Sequence, residues 1–276
     1  MALKIKDGDV SEKYFNTIEA GTSGEPFESV VPDYRIPYAY ALIDSLYSDT
    51  VSVREKAKNL LKYGKNDAIT SGTPETVWQT GGDETYKTAN DIDIVVSTNA
   101  GDTQDIVIEG HTLSGSDFTF VSQTATLNGT SNVTLTTPLA RATRLYNVDS
   151  TDFAGTITVE DNGTSTHLTV TEGNQSQKCA TALSSVDYWI ITNITGSVGR
   201  TTTATSVDFF LQVREFGKVF RTIFEFTVTN TSGTYEHEFS QPIIVPPNSD
   251  VRMRAASTGT NTIVGASING YLAIIT

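Results

Sequence analysis

A chain of 276 residues with 18% charged side chains, a single cysteine and a net charge of −13 is long enough for one large β domain or two smaller ones with real cores. Its acidity argues against direct nucleic-acid binding, because a phosphate backbone would be repelled rather than neutralised. No apolar run reaches the roughly 18 residues that a membrane-spanning helix needs, and residues 1–10 are charged where a signal peptide needs an apolar stretch. The expected product is soluble, made in the cytoplasm, and without a membrane partner.

Residues 1–50 read as an extended, aromatic-rich arm. Breakers stand at Gly21, Gly24, Pro26, Pro32 and Pro37, yet the stretch carries Tyr14, Phe15, Phe27, Tyr34, Tyr38, Tyr40 and Tyr47. A plain linker rarely spends so many rings. Two readings stay open: the rings bury against a neighbouring subunit, as aromatic side chains do at interface cores, or the arm folds back on its own sheets. A short helical turn is expected over 38–47.

Residues 51–90 read as a helix and a connecting segment. Ser52 and Glu55 have capping-box spacing, Val53, Ala57, Leu60 and Leu61 share a helical face, and Gly64 can end the helix.

From residue 91 the apolar period changes to two, and short runs are separated by Gly, Asn, Asp and Ser. Strands are expected over 91–97, 104–110, 117–127, 132–136, 140–148, 155–159 and 166–171, a first β module covering 91–182. A second β-sandwich module over 183–276 has strands at 188–195, 206–215, 219–229, 234–239, 242–245, 250–256 and 263–275. Within it, Phe220, Thr222, Phe224, Phe226 and Val228 alternate with more polar residues. Asn230 to Gly233 supplies a turn, and Tyr235, His237 and Phe239 alternate with Glu236 and Glu238 on the return, which predicts a hairpin. The fold class is therefore all-β: two tandem antiparallel β-sandwich, jelly-roll-like modules behind an extended arm and one short helix.

Reactive chemistry is hard to find. His111, His167 and His237 are far apart and lack zinc-ligand spacing; His237 reads as a core or interface histidine and the other two as solvated residues near turns or strand ends. There is no nucleophile elbow, phosphate loop or dinucleotide fingerprint. Gly81-Gly82 is a turn before the first β strand. The acidic pairs Asp102 with Asp105, Asp149 with Asp152, and Glu160 with Asp161 lack calcium-loop spacing and read as Asx turns. Six Asn-x-Ser/Thr sequons likewise read as turn chemistry. Trp78 and Trp189, the two tryptophans, are expected to pack in cores rather than serve as carbohydrate platforms, and Cys179 to be a small buried apolar residue. No catalytic residue, metal site or cofactor is assigned, and the chain reads as a non-enzyme.

The series Lys62-Tyr63-Gly64-Lys65-Asn66-Asp67, then Ser71-Gly72-Thr73-Pro74-Glu75-Thr76-Val77-Trp78 and Gly81-Gly82, resembles virion structural proteins of tailed bacteriophages. Further along, Thr126-Leu127-Asn128-Gly129-Thr130, Arg141-Ala142-Thr143-Arg144-Leu145, the run from Arg214 to Thr222 and the run from Ser249 to Ala255 extend the resemblance over about residues 58–260. It implies a capsid decoration or a neck or tail accessory protein of the virion, with no enzymatic residues to carry across. Its partners would be other virion proteins and copies of itself; the arm is an addition to the family's pattern, and its rings Tyr34, Tyr38, Tyr40 and Tyr47, with Leu60 and Leu61 of the helix, are the expected docking residues. The alternative function is a carbohydrate or host-receptor binding β-sandwich module of a fibre or tail, with a host glycan as ligand.

Overall fold

The computed structural model describes residues 57–162, 165–199 and 205–274. They contain strands and no helix. In chain order these are β1 (Ala57–Ile69), β2 (Glu75–Thr76), β3 (Ile92–Ser97), β4 (Asp105–Ser114), β5 (Asp117–Thr126), β6 (Val133–Leu139), β7 (Arg141–Asn147) and β8 (Ile157–Asp161). There follow β9 (Ser165–Val170), β10 (Ala180–Ala182), β11 (Asp187–Val198), β12 (Ser206–Glu215), β13 (Arg221–Thr229), β14 (Thr234–Val245), β15 (Ser249–Ser257) and β16 (Thr262–Ile274).

In strands such as β4 and β12 alternating β-branched and aromatic residues bury one face, while β10 and much of β15 are buried on both; the strands sort into two sandwich-like bodies, each an antiparallel sheet pair around its own core. In the C-terminal body one sheet has the order β1-β16-β11-β14 and the other β10-β15-β12-β13, with the short β2 also paired to β15. Trp189, Ile194 and Ile268 from the first meet Phe209, Leu211 and Met253 from the second in one apolar cluster. Leaving out β2 and numbering the eight strands along the chain, the orders are 1-8-3-6 and 2-7-4-5. The first strand thus pairs the last, the second the seventh, the third the sixth and the fourth the fifth, as though one long hairpin had been folded and then rolled. The turn at its tip is the link between β12 and β13.

The other body is built from chain that leaves after the first of these eight strands and returns before the second. Its sheets have the orders β6-β3-β8-β9 and β5-β4-β7. Ile92, Val95, Val159 and Leu168 of one sheet pack on Ile106, Ile108 and Leu145 of the other. The outgoing and returning segments run side by side: Trp78 and Lys178 form an antiparallel bridge, the Gln79 amide donates to the Gln177 carbonyl at 3.1 Å, and the Cys179 amide donates to the Val77 carbonyl at 2.9 Å.

Two expectations are corrected. The helix expected to run to Gly64 is a strand from Ala57 onward, paired residue for residue with β16 from Ala57 opposite Ala273 to Asn66 opposite Val264. The alternation decides it: Leu60 packs against the core while its neighbour Leu61 is 53% exposed, which a two-residue period allows and a shared helical face does not. Gly64 sits where a Cβ would lie 2.0 Å from the Val77 carbonyl oxygen, so it permits close backbone approach and does not cap a helix. Ser52, Val53 and Glu55 lie outside the described residues.

The expected hairpin over 219–239 has its strands and its turn but not its pairing. β13 bonds to β12 and β14 to β11, so the Asn230 to Gly233 turn carries the chain from one sheet to the other. The aromatic periodicity is real, and its partners lie across the sandwich. Phe226 stacks on Tyr235 with centroids 4.5 Å apart, Phe224 on His237 at 4.9 Å, and Phe224 meets Phe239 edge-on at 5.1 Å. Residues 234–239 and 242–245, expected as two strands, form the single β14. Its register shifts where Ile191 faces Ile243 but Asn193 faces Glu238, a bulge in which Pro242 is tolerated.

Candidate functional site: a charged junction and an open cleft

The two bodies meet through buried charge. Asp250 on β15, fully buried, accepts from Arg141 on β7 through Nε at 2.7 Å and Nη2 at 3.1 Å, and from Arg214 on β12 through Nη2 at 2.7 Å. Arg141 also donates to the Lys87 and Ala140 carbonyls. The guanidinium is thereby satisfied on several sides, which a desolvated ion requires. The Tyr86 ring lies among three arginines, with Arg214 4.4 Å, Arg141 5.0 Å and Arg252 5.7 Å from its centroid, favourable cation–π positions. Arg252 in turn bonds Asp83 at 3.1 Å. Burial, with Glu84 and Asp250 nearby, raises the Tyr86 phenol well above its ordinary range.

At the stem, Lys178 pairs with Glu84 and donates to the Ala142 carbonyl at 2.9 Å and the His167 carbonyl at 3.3 Å. Burial lowers its pKa, opposed by Glu84. His111 and His167, expected to be solvated, are 4% and 1% exposed. Burial lowers His111 to about 3 and His167 to about 4, with Lys62 and Lys178 respectively as the next causes. Both are held neutral at pH 7. His237 is half-buried in the aromatic row between the sheets. Cys179 is buried, and burial pushes its thiol above the ordinary value, so the reactive thiolate is disfavoured. Trp78 and Trp189 lie in the packed interior, 2% and 0% exposed. Trp78 Nε1 donates to the Gly81 and Gly82 carbonyls at 3.0 Å, and both glycines have positive φ.

Beside the junction opens a cleft of about 870 Å³, lined by β1 and the β10–β11 segment of the C-terminal body and by β4, β5 and β7 of the other. Six consecutive β1 residues, 58–63, border it. Both parities of a strand can do that only if its edge faces the cleft, and among the described residues β1 is the edge of its sheet. Phe120 and Val186, each 51% exposed, lie on the walls with Leu61. Lys62, buried, contributes its Nζ, which among the described residues reaches the Thr143 carbonyl at 3.5 Å; burial lowers it to about 8.

Of the docking residues named from the sequence, Tyr34, Tyr38, Tyr40 and Tyr47 lie outside the described residues. Leu60 turns into the core and Leu61 toward the cleft. Phe120 and Val186 were missed. A signal for Phe120 exists, because Phe118 and Phe120 share one face of β5 while Val121 and Ala125 of the other face pack on the body's own core. A strand apolar on both faces needs two partners. Asp102, read from the sequence as part of an Asx turn, is buried and accepts from Ser97, the Ala154 amide at 2.8 Å and the Gly155 amide at 2.9 Å. No group of three or more potential metal ligands occurs among the described residues.

The geometry defines an all-β protein of two joined, sandwich-like bodies. No protein-family model and no curated protein matches the chain. A chain of a solved structure described as "Structure of infectious bursal disease virus Gt strain" aligns at 8% identity over 87% of this chain and 83% of that one, with a TM-score of 0.14; an overlap that loose carries no argument.

Proposed function

We propose that the chain is a non-enzymatic structural component of a tailed-phage virion, a capsid decoration or a neck or tail accessory protein that docks through its N-terminal arm. The observation that carries this reading is the junction. Arg141, Arg214 and Lys178, with Asp250 and Glu84, spend their hydrogen bonds fixing one β body to another. That use of buried charge suits a part that must hold its shape under load. The series of sequence motifs that resembles phage virion proteins points the same way.

The tandem jelly-roll reading narrows on these grounds. The 1-8-3-6 and 2-7-4-5 orders of the C-terminal body support a jelly-roll reading of that body, an architecture used in viral capsids and lectins alike. The inserted body has seven strands in the orders 4-1-6-7 and 3-2-5, a different winding. Fold alone does not choose between capsid and lectin roles.

The test is deletion of residues 1–50 followed by particle assembly in the presence of the shortened protein. The docking reading expects a folded protein that no longer joins particles. Normal incorporation overturns it, and loss of folding favours an arm that packs on its own sheets.

A further inference from the structure

The cleft combines three properties that the junction does not need. First, it presents a strand edge: among the described residues, β1 pairs with β16 alone, and no hydrogen bond reaches the main chain of 58–61 from the cleft side. An open edge is a template for another strand. Second, Leu61, Phe120 and Val186 are more than half exposed on its walls. Scattered exposed apolar residues need no explanation, but three gathered in one concave site do. Third, its charge opposes that of the molecule. Leaving aside Lys178, which is spent on Glu84, Lys58, Lys62 and Arg144 line it against Glu109 and Asp187, three cations to two carboxylates in a chain of net charge −13.

We infer that the cleft is an acceptor for an extended, acidic peptide bearing aromatic side chains, added as a strand along the free edge of β1 and supplied by a neighbouring copy of this chain. Main-chain bonds to β1 would give the register, alternate side chains would enter the apolar walls, and carboxylates would meet the cationic lining. Each neighbouring copy carries a segment of matching chemistry. Residues 14–34 hold Tyr14, Phe15, Phe27 and Tyr34 with Glu19, Glu25, Glu28 and Asp33, and no Lys or Arg. The inference rests on the assembly reading and adds to it the surface that receives the arm.

The test uses the full chain. Self-association is measured by sedimentation for wild type and for Phe120→Asp and Lys58→Glu, both at exposed positions, with thermal melting as the control for folding. The inference expects each substitution to weaken association about tenfold or more at an unchanged melting temperature. It also expects an excess of a synthetic peptide of residues 14–34 to dissociate the wild-type oligomer, while the same peptide with its four acids changed to amides does not. Association insensitive to both substitutions and to the peptide overturns it. So does a monomeric wild type, or a cleft that binds neutral oligosaccharides and not the peptide. Phe120→Asp protein that still enters particles at wild-type copy number overturns the cleft's role while leaving the assembly reading intact.

Discussion

Arg141 and Asp250, 109 positions apart in the chain and on different β bodies, form a two-pronged ion pair with side chains 4% and 0% exposed. Bringing both charges out of water is costly, and the pair holds only while each partner remains. Arg141→Ala is expected to destabilise the protein by about 3–5 kcal/mol, because it leaves the buried carboxylate with Arg214 alone. Arg141→Lys should recover little of this, since an ammonium cannot span both oxygens. Urea denaturation checks both, and a loss below about 1 kcal/mol for the alanine variant would show that the pair is not desolvated as described.

Phe226 and Tyr235 flank the Asn230 to Gly233 turn from opposite sheets, their rings 22° from parallel. Phe226 also stacks on Phe209 at 5.0 Å. A double-mutant cycle with Phe226→Leu and Tyr235→Leu is expected to give a coupling of about 0.5–1.5 kcal/mol. Additive losses would contradict the crossing of the sandwich.

Gly64 is a position without room. Its added Cβ would lie 2.0 Å from the Val77 carbonyl oxygen and 2.4 Å from the Cys179 amide nitrogen, both main-chain atoms of the stem that cannot step aside cheaply. Gly64→Ala is expected to abolish soluble expression or lower the melting temperature by more than 10 °C, roughly 2.5–5 kcal/mol for a domain of this size. A wild-type melting temperature would contradict the approach of β1 to the stem.

Acid should weaken the fold before its carboxylates titrate. His111 and His167 have folded pKa values of about 3 and about 4, both below the ordinary 6.5, so the unfolded chain binds their protons more tightly than the native one. Their contribution is fully present above about pH 6.5 and falls toward pH 4, with a slope of up to about 1.4 kcal/mol per pH unit for each histidine. Urea midpoints between pH 7.5 and 4.5 measure it. His111→Phe, in a site flanked by Phe118 and Phe120, should flatten the slope. An identical slope in the variant would mean that His111 is not buried neutral.

The strands of both bodies from residue 92 onward, β10 excepted, were legible because each is long enough to show its two-residue period, and turn residues such as Gly115, Gly129 and Gly233, all at positive φ, separate them. What failed was local pattern with a nonlocal cause. In β1, Leu60 and Leu61 are adjacent, so the apolar count fits a helical stripe as well as a strand. Only the edge of β16, some 200 positions away, decides. The rings of β13 and β14 announced a facing pair correctly, but periodicity cannot say whether two strands face each other within a sheet or across two sheets. Short β2 and β10 are too brief to have a period at all. The junction was illegible for another reason: Arg141, Asp250 and Lys178 are charged residues in buried positions, and pattern reading assigns charge to solvent.

The central claim is that the chain is an ordered, repeated part of a virion. Its most direct test is the protein content of particles purified through a density gradient and high salt, quantified by mass spectrometry against the major capsid protein. The account predicts this chain at a fixed, symmetry-compatible copy number that survives the purification. Its absence from intact particles, with all of it recovered in the soluble lysate, would contradict the account.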